Sequence, residues 1–302
     1  MDWNINSITW NPTSLDNGKV QLDVPTPNLT TLTLQAGLDN GSGGQVEIRP
    51  NIVLGAFQTW NDATGIDVFG TISGAGGIQK TGSGTLRLIA NTNSYSGGTT
   101  IADGALEVSN NSAPGTANSI QLDNGTLRFA SYSGPSIITV VLDRNLILGV
   151  DGGTIQTVRG DVTFHGLISG GGQLRLDPDS SRTSFTQSRY TFGDANTYTG
   201  GTVLGAVTVN ITGTGQSLGT GGVTVKSDGV LALSAETNLA PGQKVALKTG
   251  GVLVLSSAAI NPANIIDAER PAESFHSARI LGARSIWRRS ETGSSFSAPP
   301  EP

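Results

Sequence analysis

A chain of 302 residues can bury a sizeable core, enough for one large domain or two ordinary ones. Charged residues make up only 14 % and the net charge is −5, which leaves no basic footprint for nucleic acid or anionic lipid; the absence of cysteine excludes disulfides and thiolate metal sites. The 42 glycines follow no triplet period, so the chain is not collagen, and 36 % apolar residues spread throughout exclude a disordered chain.

The first residues, MDWNINSITWNP, lack a basic start and an apolar run, and no stretch of about 18 apolar residues follows. If the protein is secreted, its signal is expected outside this sequence. Residues 1–69 carry Trp3, Trp10 and Trp60 and runs such as NLTTLTLQAG and GGQVEIRP. They read as the irregular β start of a repetitive structure.

The repeats begin at Gly70. The stretch from Gly70 to Asn110 aligns with the stretch from Gly166 to Asn210: both open on Ile-Ser-Gly, pass a glycine cluster into an alternating Leu-x-Leu strand, reach Asn-x-Tyr-x-Gly-Gly-Thr and close on a second alternating strand. Ser73 and Ser169 are 96 residues apart but Tyr95 and Tyr198 are 103 apart. The second copy has thus gained seven residues within the polar segment from Asp177 to Arg189, which reads as a loop insertion.

A shorter unit recurs as ADGALEV at 102–108, DNGTLRF at 123–129, DGGTIQTV at 151–158, SDGVLALS at 227–234 and TGGVLVLS at 249–256. Each is a glycine turn leading into apolar residues at alternate positions, the signature of a half-buried strand. Leu106 and Leu127 lie 21 residues apart, and Leu231 and Leu253 lie 22 apart. Such spacing predicts the coils of a solenoid, because one unit cannot bury its apolar stripe alone whereas stacked units place Leu on Leu. The Asp residues at 103, 123, 151 and 228 are expected at corners, and Leu86, Leu88, Ile101 and Leu106 in the core. Lys80 and Thr81 are expected to face solvent at a corner.

From about residue 259 the pattern stops. Residues 261–302 hold five of the 18 Lys and Arg residues and lose the glycine turns, so 259–302 reads as a poorly ordered tail or a loose end cap. The segment from Ala272 to Arg289 has the option of a short basic helix.

The pattern Ile-Ser-Gly-x-Gly-Gly-Ile-x-Lys-Thr-Gly-Ser-Gly-Thr-Leu-x-Leu at 72–88, followed by Asn-x-Tyr-Ser-Gly-Gly-Thr-Thr-Ile at 93–101, resembles the autotransporter-associated β-strand repeat of bacterial passenger domains. The similarity is close over 70–110, and residues 166–210 share its start and end but lack the Lys-Thr-Gly-Ser-Gly core. The resemblance implies an all-β fold, a right-handed parallel β-helix over 70–258, on the bacterial cell surface or outside the cell. It implies an outer-membrane translocator barrel as partner if the chain belongs to a longer protein, with host or cell-surface glycans or proteins as ligands. It does not imply one activity.

Catalytic chemistry has few candidates. A P-loop requires glycine before its lysine, and here Gln79 precedes Lys80. Of the two histidines, His165 alternates with Phe164 and is expected on the surface, and His276 lies in the tail. No cofactor and no metal are expected. The weak catalytic candidates are Asp177 and Asp179, beside Arg175 and Arg182, where acids near a cation suit acid/base work on a polysaccharide. Asp-Pro-Asp-Ser-Ser is also ordinary turn chemistry, the preferred reading. The sequence thus points to a non-catalytic surface module, adhesin-like or a stalk, with a polysaccharide lyase or hydrolase as the alternative.

Overall fold

The computed structural model describes residues 3–9, 19–22, 31–41, 44–132, 137–178, 188–213, 215–234, 238–255, 265–268, 279–281, 288–289 and 295–297. Among these, the regular structure is strand, with no α-helix. The fold is all-β, with short parallel strands stacked as a β-solenoid. It divides into two compact units, Met1–Val140 and Val141–Pro302.

In the first unit the chain runs through three ladders of parallel strands. One stacks Lys19–Leu22, Gln45–Ile48, Ile66–Val68, Thr85–Leu88, Ala105–Val108 and Thr126–Phe129. The second stacks the end of Thr31–Asn40 on Gln58–Asp62, Ile78–Thr81, Thr99–Ile101 and Ser119–Leu122. The third stacks the start of Thr31–Asn40 on Asn51–Leu54 and Ile72–Ser73. Trp3–Thr9 pairs alongside Thr31–Asn40.

The period of two decides what each strand buries. Ile66, Leu86, Leu106 and Leu127 form one buried column, and Val68, Leu88, Val108 and Phe129 form the next. Neighbouring strands lie about 4.8 Å apart, so each side chain rests on its equivalent one coil away. Burying such a side chain contributes about 1.5–3 kcal/mol, and no single coil could realise it.

In the second unit one ladder holds Gly153–Thr157, Leu174–Pro178, Thr202–Leu204, Val223–Val225, Lys244–Leu247 and Ile265–Ala268. Another holds Gly160–Phe164, Ser188–Phe192, Thr208–Ile211, Val230–Leu233, Val252–Leu255 and Arg279–Leu281. Asn145–Leu148 pairs with Ile168–Gly170 on a third side. Val162, Tyr190, Val209, Leu231 and Leu253 make a core column, and the rings of Phe164 and Phe192 stack with centroids 4.6 Å apart.

The expected core residues Leu86, Leu88, Ile101 and Leu106 are all buried. Asp103, Asp123, Asp151 and Asp228 sit at turns; Asp228 itself has φ of 61°, a left-handed corner that Asp tolerates better than most side chains. Within the stretch from Ala272 to Arg289 the described residues, Arg279–Leu281 and Arg288–Arg289, are strands and not helix. They have edges of neighbouring strands to pair with, which outweighs a weak and irregular helical pattern. The strand Ile265–Ala268 also lies in the tail and takes antiparallel Ser295–Ser297 as its partner, which in turn pairs with Arg288–Arg289.

Candidate functional site

The repeated stretch Asn-x-Tyr-x-Gly-Gly-Thr is the most specific sequence feature, and it folds identically in both units. After Ile72–Ser73 the third side of the coil loses its strand, and the side chain of Asn93 takes over the ladder. Its Oδ1 accepts the Ile72 N–H at 2.7 Å from the preceding coil, and its Nδ2 donates to the Ala113 carbonyl at 2.6 Å in the following one. Asn196 does the same between Ile168 and Ser217, at 2.7 Å on each side. A buried amide with one acceptor and two donors can replace a peptide group in this way.

The other residues of the stretch complete a buried knot. The Tyr95 hydroxyl is 2.7 Å from Thr99 Oγ1, which donates to the Pro114 carbonyl at 3.0 Å. Tyr198, Thr202 and the Leu218 carbonyl repeat this chain at 2.6 and 3.3 Å. Both tyrosines are fully buried, and desolvation pushes the phenol of Tyr198 well above its ordinary value. The two glycines have separate reasons. Gly98 adopts φ of 91°, whereas a Cβ on Gly97 would lie 2.5 Å from the carbonyl carbon of Gly76 on the neighbouring coil.

Lys80 corrects the expectation from sequence. It is completely buried (0 % exposed) and occupies a core column between Trp60 and Ile101. Its ammonium donates to the carbonyls of Thr81 and Gly82 at 2.7 and 2.6 Å. Desolvation lowers its pKa, and Asp62 and Asp103 partly oppose the shift. The physical reason is alternation: on Ile78–Thr81, Lys80 shares a face with Ile78, so its stem packs inside while its head reaches the corner carbonyls. These donors are turned inward, and the glycine-rich stretch around them packs against neighbouring coils.

A charged column escaped the sequence reading. Glu47, Asp67, Arg87, Glu107 and Arg128 occupy one register position on five successive coils of the first unit. Arg87 lies 3.2 Å from both Asp67 and Glu107, and Arg128 lies 3.5 Å from Glu107. The signal was present as the residue between the apolar positions of GTLRL, GALEV and GTLRF. Its pairing needs the coil register.

The weak catalytic candidates are placed as follows. Asp177 lies in the strand Leu174–Pro178 opposite Gln156, not in the expected turn, because the ladder with Gly153–Thr157 continues through Pro178. Its carboxylate is 3.7 Å from Arg175 and about a quarter exposed (26 %). Asp179, Arg182 and the remaining insertion, together with His276, lie outside the described residues. His165 is exposed, with Nδ1 3.1 Å from Asp143 on the adjacent coil. Among the described residues no group of three His, Cys, Asp or Glu side chains is placed to hold a metal ion, and no helix is long and apolar enough to cross a membrane.

Residues 78–108 match the family model of the passenger-associated-transport-repeat. No curated protein and no solved structure matches the chain.

Proposed function

We propose that the chain is a non-catalytic surface module of the autotransporter-passenger kind, adhesin-like or a spacer, whose stacked coils hold polar side chains in a fixed register. The match of residues 78–108 to the passenger-associated-transport-repeat, carried by stacked parallel strands, supports this reading. The observation that carries this reading is where the distinctive polar residues go. Asn93 and Asn196 bond the backbone of one coil to the next, Tyr95 and Tyr198 bond threonine hydroxyls inside the coil, Lys80 bonds the carbonyls of its own corner, and none converges with a second titratable group on an open face.

The ligands of such a module would be glycans or proteins of a host or neighbouring cell, and a translocator barrel would be its export partner within a longer protein. The competing reading is a polysaccharide lyase or hydrolase using Asp177 and Asp179. Incubation with a panel of acidic and neutral polysaccharides separates the two. We expect no release of reducing ends or unsaturated products; turnover that disappears in Asp177→Ala or Asp179→Ala would establish the enzyme instead. Binding to cells or immobilised glycans, lost on deletion of residues 179–187, would favour an adhesin over a spacer.

A further inference from the structure

Every strand of the second unit's first ladder pairs in parallel until Ile265–Ala268, where the partner becomes the antiparallel strand Ser295–Ser297. A strand running the opposite way cannot begin another coil of the same winding. Without it, Ile265–Ala268 would offer the same row of N–H and C=O groups that Lys244–Leu247 offers to it.

We propose that this backbone edge is a docking edge for the strand Lys19–Leu22 of a second copy of the chain, and that the hairpin of Arg288–Arg289 and Ser295–Ser297 keeps it occupied. Three observations select that partner. Lys19–Leu22 ends its own ladder, pairing with Gln45–Ile48 alone among the described residues. It is four residues long, as Ile265–Ala268 is. Its sequence, Lys-Val-Gln-Leu, differs at one position from Lys-Val-Ala-Leu of Lys244–Leu247, the strand that Ile265–Ala268 already accepts on its other side.

Edge pairing of this kind draws its affinity from main-chain hydrogen bonds and its register from alternate side chains. The contact joins two different surfaces, so it is heterologous, and copies add head to tail. The hairpin ends that series with a two-residue edge that is Arg-Arg, the short and charged kind of edge that resists further pairing.

The test uses the chain with Phe296→Pro, since Phe296 stands opposite Ile266 and proline removes the donor that the ladder needs there. In sedimentation velocity the unaltered chain is expected to stay monomeric as concentration rises, while the variant forms concentration-dependent multimers. Adding Gln21→Pro, whose N–H lies on the edge of Lys19–Leu22 turned away from Gln45–Ile48, should return the variant to a monomer. A Phe296→Pro variant that stays monomeric, multimers that survive Gln21→Pro, or association of the unaltered chain would each overturn the proposal. Hydrogen exchange reads the seal without any substitution: the amide of Ile266, on the side of Ser295–Ser297, should be as protected in the unaltered chain as that of Val245, and exchange at the rate of unpaired backbone refutes it.

Discussion

Replacing Asn93 by Ala should damage the first unit more than the loss of one surface amide would. The truncation leaves two partners behind, the Ile72 N–H and the Ala113 carbonyl, in a place where Asn93 itself is 4 % exposed. An orphaned buried backbone group costs about 1–3 kcal/mol, so the pair amounts to about 2–6 kcal/mol. That is a large share of the roughly 5–15 kcal/mol that holds an ordinary domain together. Tyr95→Phe is the internal comparison: it removes only the hydroxyl beside Thr99, whose own bond to Pro114 survives, and should cost about 1 kcal/mol. Because the chain has two units, a single unfolding free energy is unsafe, and exchange of individual amides is the better assay. In Asn93→Ala, peptides containing Ile72 and those pairing with residues 113–116 should lose protection while those around Asn196 do not. If protection at Ile72 is unchanged, or if Tyr95→Phe costs as much as Asn93→Ala, the side-chain amide is not standing in for a strand.

Further outcomes follow from the same geometry. Lys80→Met preserves the stem between Trp60 and Ile101 but leaves the carbonyls of Thr81 and Gly82 without their donor, so amide exchange in the first unit should report a loss of about 2–6 kcal/mol, at about 1–3 kcal/mol for each orphaned carbonyl. The neighbours Gly171 and Gly172 should respond oppositely to alanine. A Cβ at Gly171 meets nothing within 4 Å and should be neutral or stabilise by up to about 1 kcal/mol, whereas one at Gly172 would run into the Gly149 carbonyl and should destabilise by several-fold more. Alkaline pH should weaken the second unit. Burial raises the pKa of Tyr190 and Tyr198 above the ordinary 10.0, so the folded chain keeps phenolic protons that the unfolded chain releases; stability is full below about pH 10 and falls above it. Tyr198→Phe should flatten that fall in urea midpoints measured across the range, and an unchanged slope in the Tyr190→Phe, Tyr198→Phe double variant would refute the assignment. Lys80, whose pKa is lowered, acts in the opposite sense, adding stability as pH rises toward its ordinary 10.5.

Much of the solenoid is written in local chemistry. A glycine turn followed by Leu-x-Leu fixes a corner and a strand with one apolar face, and that is why Leu86, Leu88, Ile101 and Leu106 could be placed in the core from their spacing. The aligned copies 103 residues apart at Tyr95 and Tyr198 likewise marked the stretch that forms the knots, since the same residues in the same order repeat the same hydrogen bonds. What they bond to was not legible. The partners of Asn93 lie 21 and 20 residues away, on the coils before and after, and no local rule names them.

Lys80 and the charged column show the same division. By itself the sequence determined that this chain is built of short strands and glycine corners that must stack to bury anything, because turn propensity and the period of two act within a few residues. Only the tertiary structure decided that the look-alike units 102–108 and 249–256 enter different ladders, that Lys80 lies in a core column with its charge on corner carbonyls, and that Glu47, Asp67, Arg87, Glu107 and Arg128 stand in one line. Those outcomes depend on the register between coils, which is set by loop lengths and core volumes summed over a whole turn of the solenoid, and a lysine with an apolar stem and a cationic head satisfies an inward or an outward position until that register is known.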